Sequence, residues 1–313
     1  MAMYRLESTA EPKVNQESGI AKKNVLVAIP TYNEEIAIGS IVLKARKHAD
    51  RVIVIDDGST DRTAEIAQLA GATVISHRHN EGKGAGIRDA FKFSKRAMAD
   101  ILVLIDGDGQ HDPEEIPQLI GPILSDEADF VNGSRFLDEK KESNNVPLYR
   151  RLGQEILTLA TNAGTRWKTT DSQNGFRAFS MKTFDCFSFR QNGMAIESEM
   201  LIDASAAGMR LKEVPISVRY DVQGSTYNPV THGFAVLNRV IGLLARRKPV
   251  LFYCLPGVGL IMLGAACALM LVNVFNTTHN LNVEYSLGSM LFLVPGTALF
   301  SNGFMLLALK INK

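Results

Sequence analysis

The sequence predicts an α/β domain built on a mostly parallel sheet, followed by a helical hairpin that crosses a membrane. Three observations carry this. Short runs rich in β-branched residues alternate with helix-like stretches from Val25 to Leu124. Polar clusters follow three of those runs directly. Two long segments near the C-terminus, Val250–Phe275 and Tyr285–Leu309, contain no Asp, Glu, Lys or Arg.

The strands are expected at Val25–Ile29, Arg51–Ile55, Ala72–Ile75, Ile101–Ile105 and Asp129–Val131. Helices are expected at Glu34–His48, Arg62–Ala70, Gly86–Met98 and Pro113–Leu124. The last has the clearest start. Asp112 suits an N-cap, Pro113 the first helical position, and Glu115 the far side of a capping box. Strand–helix alternation implies parallel strands covered on both faces.

Each charge-free segment exceeds the ~20 residues that span a hydrocarbon core about 30 Å thick. The polar link Asn276–Glu284 separates them. Arg246, Arg247 and Lys248 precede the first segment, and Lys310 and Lys313 follow the second. The excess of cations at both ends puts those ends in the cytoplasm, with the soluble part on the same side. The expected protein is therefore a multi-pass cell-membrane protein with two spans. Between the soluble part and the first span, Phe234, Leu237, Ile241 and Leu244 recur at helical spacing beside Arg239, Arg246 and Arg247. This is the pattern of an amphipathic helix in the membrane interface; a helix packed on the soluble part is the other reading. Residues 1–23 are polar and lack the apolar run of a signal peptide, so a flexible leader is expected. The expected division is 1–23 leader, 24–229 catalytic domain, 230–248 interfacial helix and 249–313 spans.

Charge is balanced, with 34 basic and 33 acidic residues, which gives no reason to expect a nucleic-acid partner. Cys186, Cys254 and Cys267 form neither a disulfide framework nor a zinc pattern. A homo-oligomer stays open.

In open α/β sheets, ligands bind beyond the carboxyl ends of the strands. The polar clusters lie there: Pro30-Thr31-Tyr32-Asn33-Glu34, Asp56-Asp57-Gly58-Ser59 and Asp106-Gly107-Asp108-Gly109-Gln110. Asp106 and Asp108 supply paired hard oxygen donors suited to Mg²⁺ or Mn²⁺, and Gly107 and Gly109 let backbone approach a ligand. Asp56 and Asp57 suit hydrogen bonds to a base or ribose; capping of the next helix by Ser59 or Asp61 is the plainer alternative. Asn80–Gly86 is a glycine-rich turn before a helix, with Lys83 in it. It is like a phosphate cradle but lacks the full P-loop spacing.

In this order the motifs resemble family 2 glycosyltransferases, and more narrowly dolichyl-phosphate or polyprenyl-phosphate sugar synthases. Gly133-Ser134-Arg135, Asn174-Gly175-Phe176-Arg177 and Val214-Pro215 with Arg219 extend the match, which covers about Asn24–Ser225. The resemblance implies a nucleotide-sugar-binding GT-A (Rossmann-like) fold. It places Pro30, Tyr32, Glu34, Asp57 and Lys83 with Asp106, Gly107 and Asp108 on the nucleotide sugar. Asp106, Asp108 and Gln110 would hold the metal. Arg135, Arg151, Arg219 and Ser225 would meet the phosphate of a polyprenyl or dolichyl acceptor. Two departures stand out. Thr226 occupies a position where relatives often carry Lys. The Gln-x-x-Arg-Trp signature of processive synthases is absent: Trp167 follows Arg166, but position 163 is Ala.

A lipid monophosphate, with a second pKa of about 6, is already largely ionised and needs cations rather than a base. A hydroxyl acceptor needs a carboxylate base, for which Asp171 is the first choice, ahead of Glu197 and Glu199. A single displacement would invert the anomeric centre. The expected activity is sugar transfer from a nucleotide sugar, UDP-linked in preference to GDP-mannose, to a polyprenyl phosphate at the cytoplasmic face. A hydroxyl-acceptor enzyme and a non-catalytic membrane scaffold are the alternatives.

Overall fold

The computed structural model describes residues 23–137, 148–193, 195–219 and 229–311. The expected leader thus lies outside the described residues, save its last position. The described chain forms two compact units. One holds the residues up to 137 with 174–187 and 208–219; the other holds 148–173, 188–207 and 229–311.

The first unit is organised by a seven-stranded sheet: β1 (Val25–Thr31), β2 (Arg51–Asp56), β3 (Thr73–Ser76), β4 (Ile101–Leu104), β5 (Phe130–Ser134), β6 (Arg177–Ser180) and β7 (Leu211–Pro215). Their spatial order is β3-β2-β1-β4-β6-β5-β7. Four of the six pairings are parallel; both pairings of β6 are antiparallel. The core cluster runs through β1 residues Val25, Val27 and Ile29, β2 residues Val52 and Val54, and β4 residues Ile101 and Val103. Helix α1 (Ile38–Ala45) buries Ile38, Ile41, Val42 and Ala45 in the same cluster. On the other face, Phe91 of α3 (Lys83–Arg96) meets Phe179, Phe184 and Phe187 edge-on, and Phe130 stacks on Phe179. Helices α2 (Thr63–Leu69) and α4 (Ile116–Leu124) complete this unit.

Several elements depart from sequence expectation. Helix α1 starts at Ile38 rather than Glu34, because the preceding residues are tied to the neighbouring loop: Glu34 N donates to Thr63 Oγ1 and Glu35 N to Asp61 Oδ2. Strand β6 begins with Arg177, which is fully buried with its guanidinium 5.7 Å from the Phe130 ring centre. A buried Arg in a four-residue strand defeats any search for an apolar run. Asp112 does cap its turn, accepting from Glu114 N at 3.2 Å. Glu115 reaches across the chain, and its carboxylate accepts from Ser217 N and Oγ, each at 2.9 Å at the nearest.

The second unit is helical. It contains α5 (Leu148–Gly164), α6 (Ile196–Ala206), α7 (Pro229–Arg247), a π-helical turn at Val250–Cys254, α8 (Leu255–Thr278) and α9 (Val283–Ile311). The α7 helix corrects the expected interfacial stripe. Val236, Val240 and Leu244 form a core cluster with Leu157, Ala195 and Ile202, while Ile241 stays exposed. Much of its apolar face is therefore used inside the unit.

Val250–Thr278 and Val283–Leu309 are long and apolar enough to cross a membrane. Only 6% and 11% of their most apolar windows are buried, which is unlike a core helix of a soluble protein. Glycines bring the two backbones together. A Cβ at Gly257 would fall 2.7 Å from Phe300 N, and one at Gly296 would fall 2.9 Å from Ile261 N. Close approach through small residues is how helices associate where lipid removes the hydrophobic drive.

Candidate active site

The three polar clusters of the first unit follow β1, β2 and β4, which are adjacent and parallel, so all three emerge at one edge. Loops there are stitched together. Asn33, in the left-handed region at φ 56°, accepts from Thr60 N at 2.8 Å, and Ser59 Oγ accepts from Asn33 N at 2.9 Å. Asp61 accepts from Thr63 N at 3.0 Å, and Asp56 accepts from Ser59 N at 3.0 Å. Asp56 and Asp61 thus accept local backbone hydrogen bonds, while the N-cap position of α2 is Arg62, not Ser59 or Asp61, and makes no side-chain cap.

Asp57 has a different task. Buried at 6% exposure, it accepts from Glu81 N at 2.9 Å and Gly82 N at 2.8 Å, and lies 2.7 Å from His77 Nδ1. It anchors the glycine-rich turn. His77 Nε2 lies 3.0 Å from Asp89 Oδ2 on α3. Burial lowers the His77 pKa, but the hydrogen bonds to Asp57 and Asp89 outweigh it and leave the pKa raised. Imidazolium, a donor at both nitrogens, satisfies both carboxylates. His77 and Asp89 were missed in the sequence. The available signal was position: His77 directly follows β3, at the same kind of strand end as the other clusters.

The turn held by Asp57 delivers Lys83 to Asp106, with Nζ 2.7 Å from Oδ1. Gly82 makes this possible by adopting φ 93° just ahead of α3. Gly107 must lack a side chain, because a Cβ would lie 2.6 Å from Thr31 Oγ1. From the other side Asn174-Gly175-Phe176 closes over Asp106: a Cβ at Gly175 would lie 2.4 Å from Asp106 Oδ2, and Asn174 Oδ1 accepts from Phe176 N at 2.7 Å. Asp108 accepts from Gln110 N at 3.0 Å. The Gln110 carbonyl accepts from Arg219 N at 2.9 Å, next to the bridge between His111 and Val218. Arg219 is thereby fixed beside the Asp106–Gln110 loop through its backbone.

Burial raises Asp106, yet Lys83, His111 and Arg177 together pull it below the ordinary carboxylate value. Asp108 goes the other way. Burial and then the Asp106 charge push it up to about 6. Glu34 rises to about 7, through burial first and then Asp108, Asp61 and Asp106. Crowded carboxylates of this kind mark functional sites, because a bound cation relieves their repulsion. Among the described residues no three His, Cys, Asp or Glu groups form a ready metal cage. Mg²⁺ needs none: it binds through one or two carboxylates plus substrate phosphates and water. Asp106 and Asp108 fit that demand.

The remaining expected residues are dispersed. Pro30, next to last in β1, lies beside Gly86, and Tyr32 is 43% exposed at the same edge. Arg135 follows β5, its guanidinium 5.6 Å from the Phe136 ring centre. Asp171 is fully buried in the second unit. Glu199, also there, accepts from Arg190 N at 3.0 Å, Gln191 N at 2.9 Å and Ser188 Oγ at 3.1 Å, so it organises a loop. Ser225 and the Arg151 side chain lie outside the described residues.

Residues 26–189 match the model of the family described as "Glycosyl transferase family 2". The chain is 32% identical over 245 residues to a UDP-N-acetylglucosamine–dolichyl-phosphate N-acetylglucosaminyltransferase of Methanococcus voltae, covering 72% of this chain and 97% of that protein. It is 29% identical to an undecaprenyl-phosphate mannosyltransferase of Micrococcus luteus, covering 68% and 91%. Among solved structures, it is similar to glucosyl-3-phosphoglycerate synthase of Mycobacterium tuberculosis crystallised with Mn²⁺ and UDP-glucose. That likeness has a TM-score of 0.55 and 26% identity, over 72% of this chain and 79% of the other.

Proposed function

The chain belongs to glycosyl transferase family 2, and from this premise we propose that it is an inverting, metal-dependent transferase acting at the cytoplasmic membrane face. It moves a sugar from a nucleotide sugar, UDP-linked in preference to GDP-mannose, to polyprenyl or dolichyl phosphate. The product serves lipid-linked glycan synthesis and protein glycosylation. The observation that carries this is the strand-end cluster in which Lys83 meets Asp106 while Asp108 and Glu34 stay crowded. The relatives that act on dolichyl and undecaprenyl phosphates support the acceptor, and the structural neighbour with UDP-glucose supports the donor.

Asp106 and Asp108 hold the cation, with Gln110 beside them. Bound Mg²⁺ or Mn²⁺ supplies Lewis-acid stabilisation to the departing diphosphate. Asp57 and His77 fix the turn, Lys83 stands by the diphosphate as a cation, and Pro30 and Tyr32 border the nucleoside. The acceptor phosphate arrives ionised, so Arg135, Arg151 and Arg219, with Ser225, orient it rather than deprotonate it. Arg246, Arg247 and Lys248 precede the first apolar helix and Lys310 and Lys313 follow the second, while the link between them carries no Lys or Arg, which supports a cytoplasmic catalytic unit.

The test is to incubate membranes carrying the protein with UDP- or GDP-sugars and dolichyl phosphate, then identify the lipid product. An acid-labile glycosyl phosphate formed from a UDP-sugar is expected. An acid-stable glycolipid would replace the phosphate acceptor with a hydroxyl; a product from GDP-mannose alone would overturn the donor.

A further inference from the structure

Three helices of the second unit end together where the chain enters its first apolar stretch. Lys248 Nζ donates to the Ala163 carbonyl in the last turn of α5. A Cβ at Gly164 would lie 2.4 Å from Leu244 Cδ2 and 3.1 Å from Ile202 Cγ1, so the chain leaving α5 is pressed onto both α6 and α7. Arg247 donates to the Ile202 carbonyl at 3.3 Å and pairs with Asp203. Cations thus meet carbonyls at or near the C-terminal ends of α5 and α6, where the helix dipole favours them. Lys248 is two residues before Val250, which opens the span Val250–Thr278. At 1.5 Å per residue it stands within about 3 Å of the level where that stretch starts.

The loop that follows α5 is held at that level. Asn162 closes it in both directions: Nδ2 donates to the Thr169 carbonyl and Oδ1 accepts from Thr169 N, each at 2.9 Å. Thr165 Oγ1 donates to the Trp167 carbonyl at 2.7 Å, and Arg166 N donates to Ser205 Oγ at 2.7 Å. On this fixed backbone Arg166 and Lys168 are exposed, with Trp167 half-buried between them. Residues 164–168 and 244–249 carry Arg166, Lys168, Arg246, Arg247 and Lys248 and no acid. Of these cations, Arg247 is the one paired with the buried Asp203.

We infer that Gly164–Lys168, with Arg246 and Lys248, forms a contact surface for anionic lipid headgroups, with Trp167 set among them. The inference rests on the reading that α8 and α9 cross a bilayer. A tryptophan flanked by cations at the mouth of a span combines the two interfacial anchors that membranes select. Lys and Arg at this height lie within a Debye length of headgroup charge, where attraction to an anionic leaflet is strong.

Trp167 is the only tryptophan in the chain, so its emission reports this loop alone. The full chain is reconstituted in phosphatidylcholine vesicles with or without phosphatidylglycerol. Bromine is placed on the acyl chains either near the headgroup or near the methyl end. Shallow bromine is expected to quench Trp167 and deep bromine to leave it bright. Phosphatidylglycerol is expected to shift the emission to the blue, and Arg166→Glu with Lys168→Glu to abolish that shift. A reference protein carrying Trp167→Phe and Leu263→Trp puts the probe on an exposed position of α8. If the α8 probe is quenched by deep bromine while Trp167 responds to neither, the loop surface is overturned and the span reading stands. If neither probe is quenched, the span reading fails and the surface with it. Equal emission in both lipid mixtures overturns the preference for anionic headgroups.

Discussion

Two acidic regions of this molecule use the same side chains to opposite ends. In the second unit, Glu199 and Asp203 lie on α6 at 2% and 3% exposure. Each is matched locally: Glu199 by the 188–191 loop, Asp203 by Ser188 and Arg247. In the first unit, Glu34 and Asp108 are crowded beside Asp106, and their pKa values rise to about 7 and about 6. The number of acids does not distinguish the two regions. What separates them is whether the fold supplies donors to the charge or leaves it to be met by a ligand.

The sharpest way to break this contrast is to remove one acid from each region. Asp108→Ala should cut sugar transfer by about 10²–10³-fold, the scale seen when one electrostatic stabiliser is lost. Its melting temperature should match that of the parent, because the substitution relieves repulsion. Transfer above a tenth of the parental rate would place the chemistry elsewhere. Asp203→Ala should do the reverse: it removes the carboxylate that pairs with Arg247 and accepts from Ser188, at a stability cost of about 3 kcal/mol. Denaturation in detergent measures it, and an unchanged midpoint would show that α6 does not depend on its acids.

A smaller effect separates positioning from ligand contact. His77→Phe removes the bridge between Asp57 and Asp89 and should raise the donor KM with a lesser change in kcat. The pH dependence has a definite sign. The folded pKa of His77 lies above its ordinary 6.5, so its contribution is complete below pH 6.5 and is lost as pH rises through the raised value. Donor KM should therefore climb on the alkaline side in the parent and stay level there in His77→Phe. Parallel alkaline profiles would remove His77 from the donor site. The smallest effect belongs to Gly107→Ala. Its Cβ would meet Thr31 Oγ1 at 2.6 Å, so the turn must shift, at about 1–2 kcal/mol of overpacking. Transfer should fall with stability; full activity would mean that the turn has slack.

Much of the first unit was legible because its signals are local. Strands β1, β2 and β4 are buried apolar runs, and each polar cluster sits where a parallel strand ends. Strand β6 was not legible, since it is four residues long and opens on the buried Arg177. Helix α6 was hidden by Glu197, Glu199 and Asp203, which sequence patterning assigns to solvent. In α7 the helix was legible, but the packed face was not: Val236 and Val240 turn inward, and Ile241 does not.

The sequence by itself determined the α/β alternation, the polar strand ends, the Asp106–Asp108 pair and the apolar hairpin. Each of these is written in the periodicity or charge of a single short segment. Only tertiary structure decided that Asp57 anchors the turn carrying Lys83, that His77 bridges two acids, and that Gly175 packs against Asp106. Those facts depend on residues brought together from distant strands, and spacing along the chain does not encode distance in space. The same holds for the acids: burial and neighbours, set by the fold, turn identical carboxylates into structural ties in one region and into a crowded, mutually repelling cluster in the other.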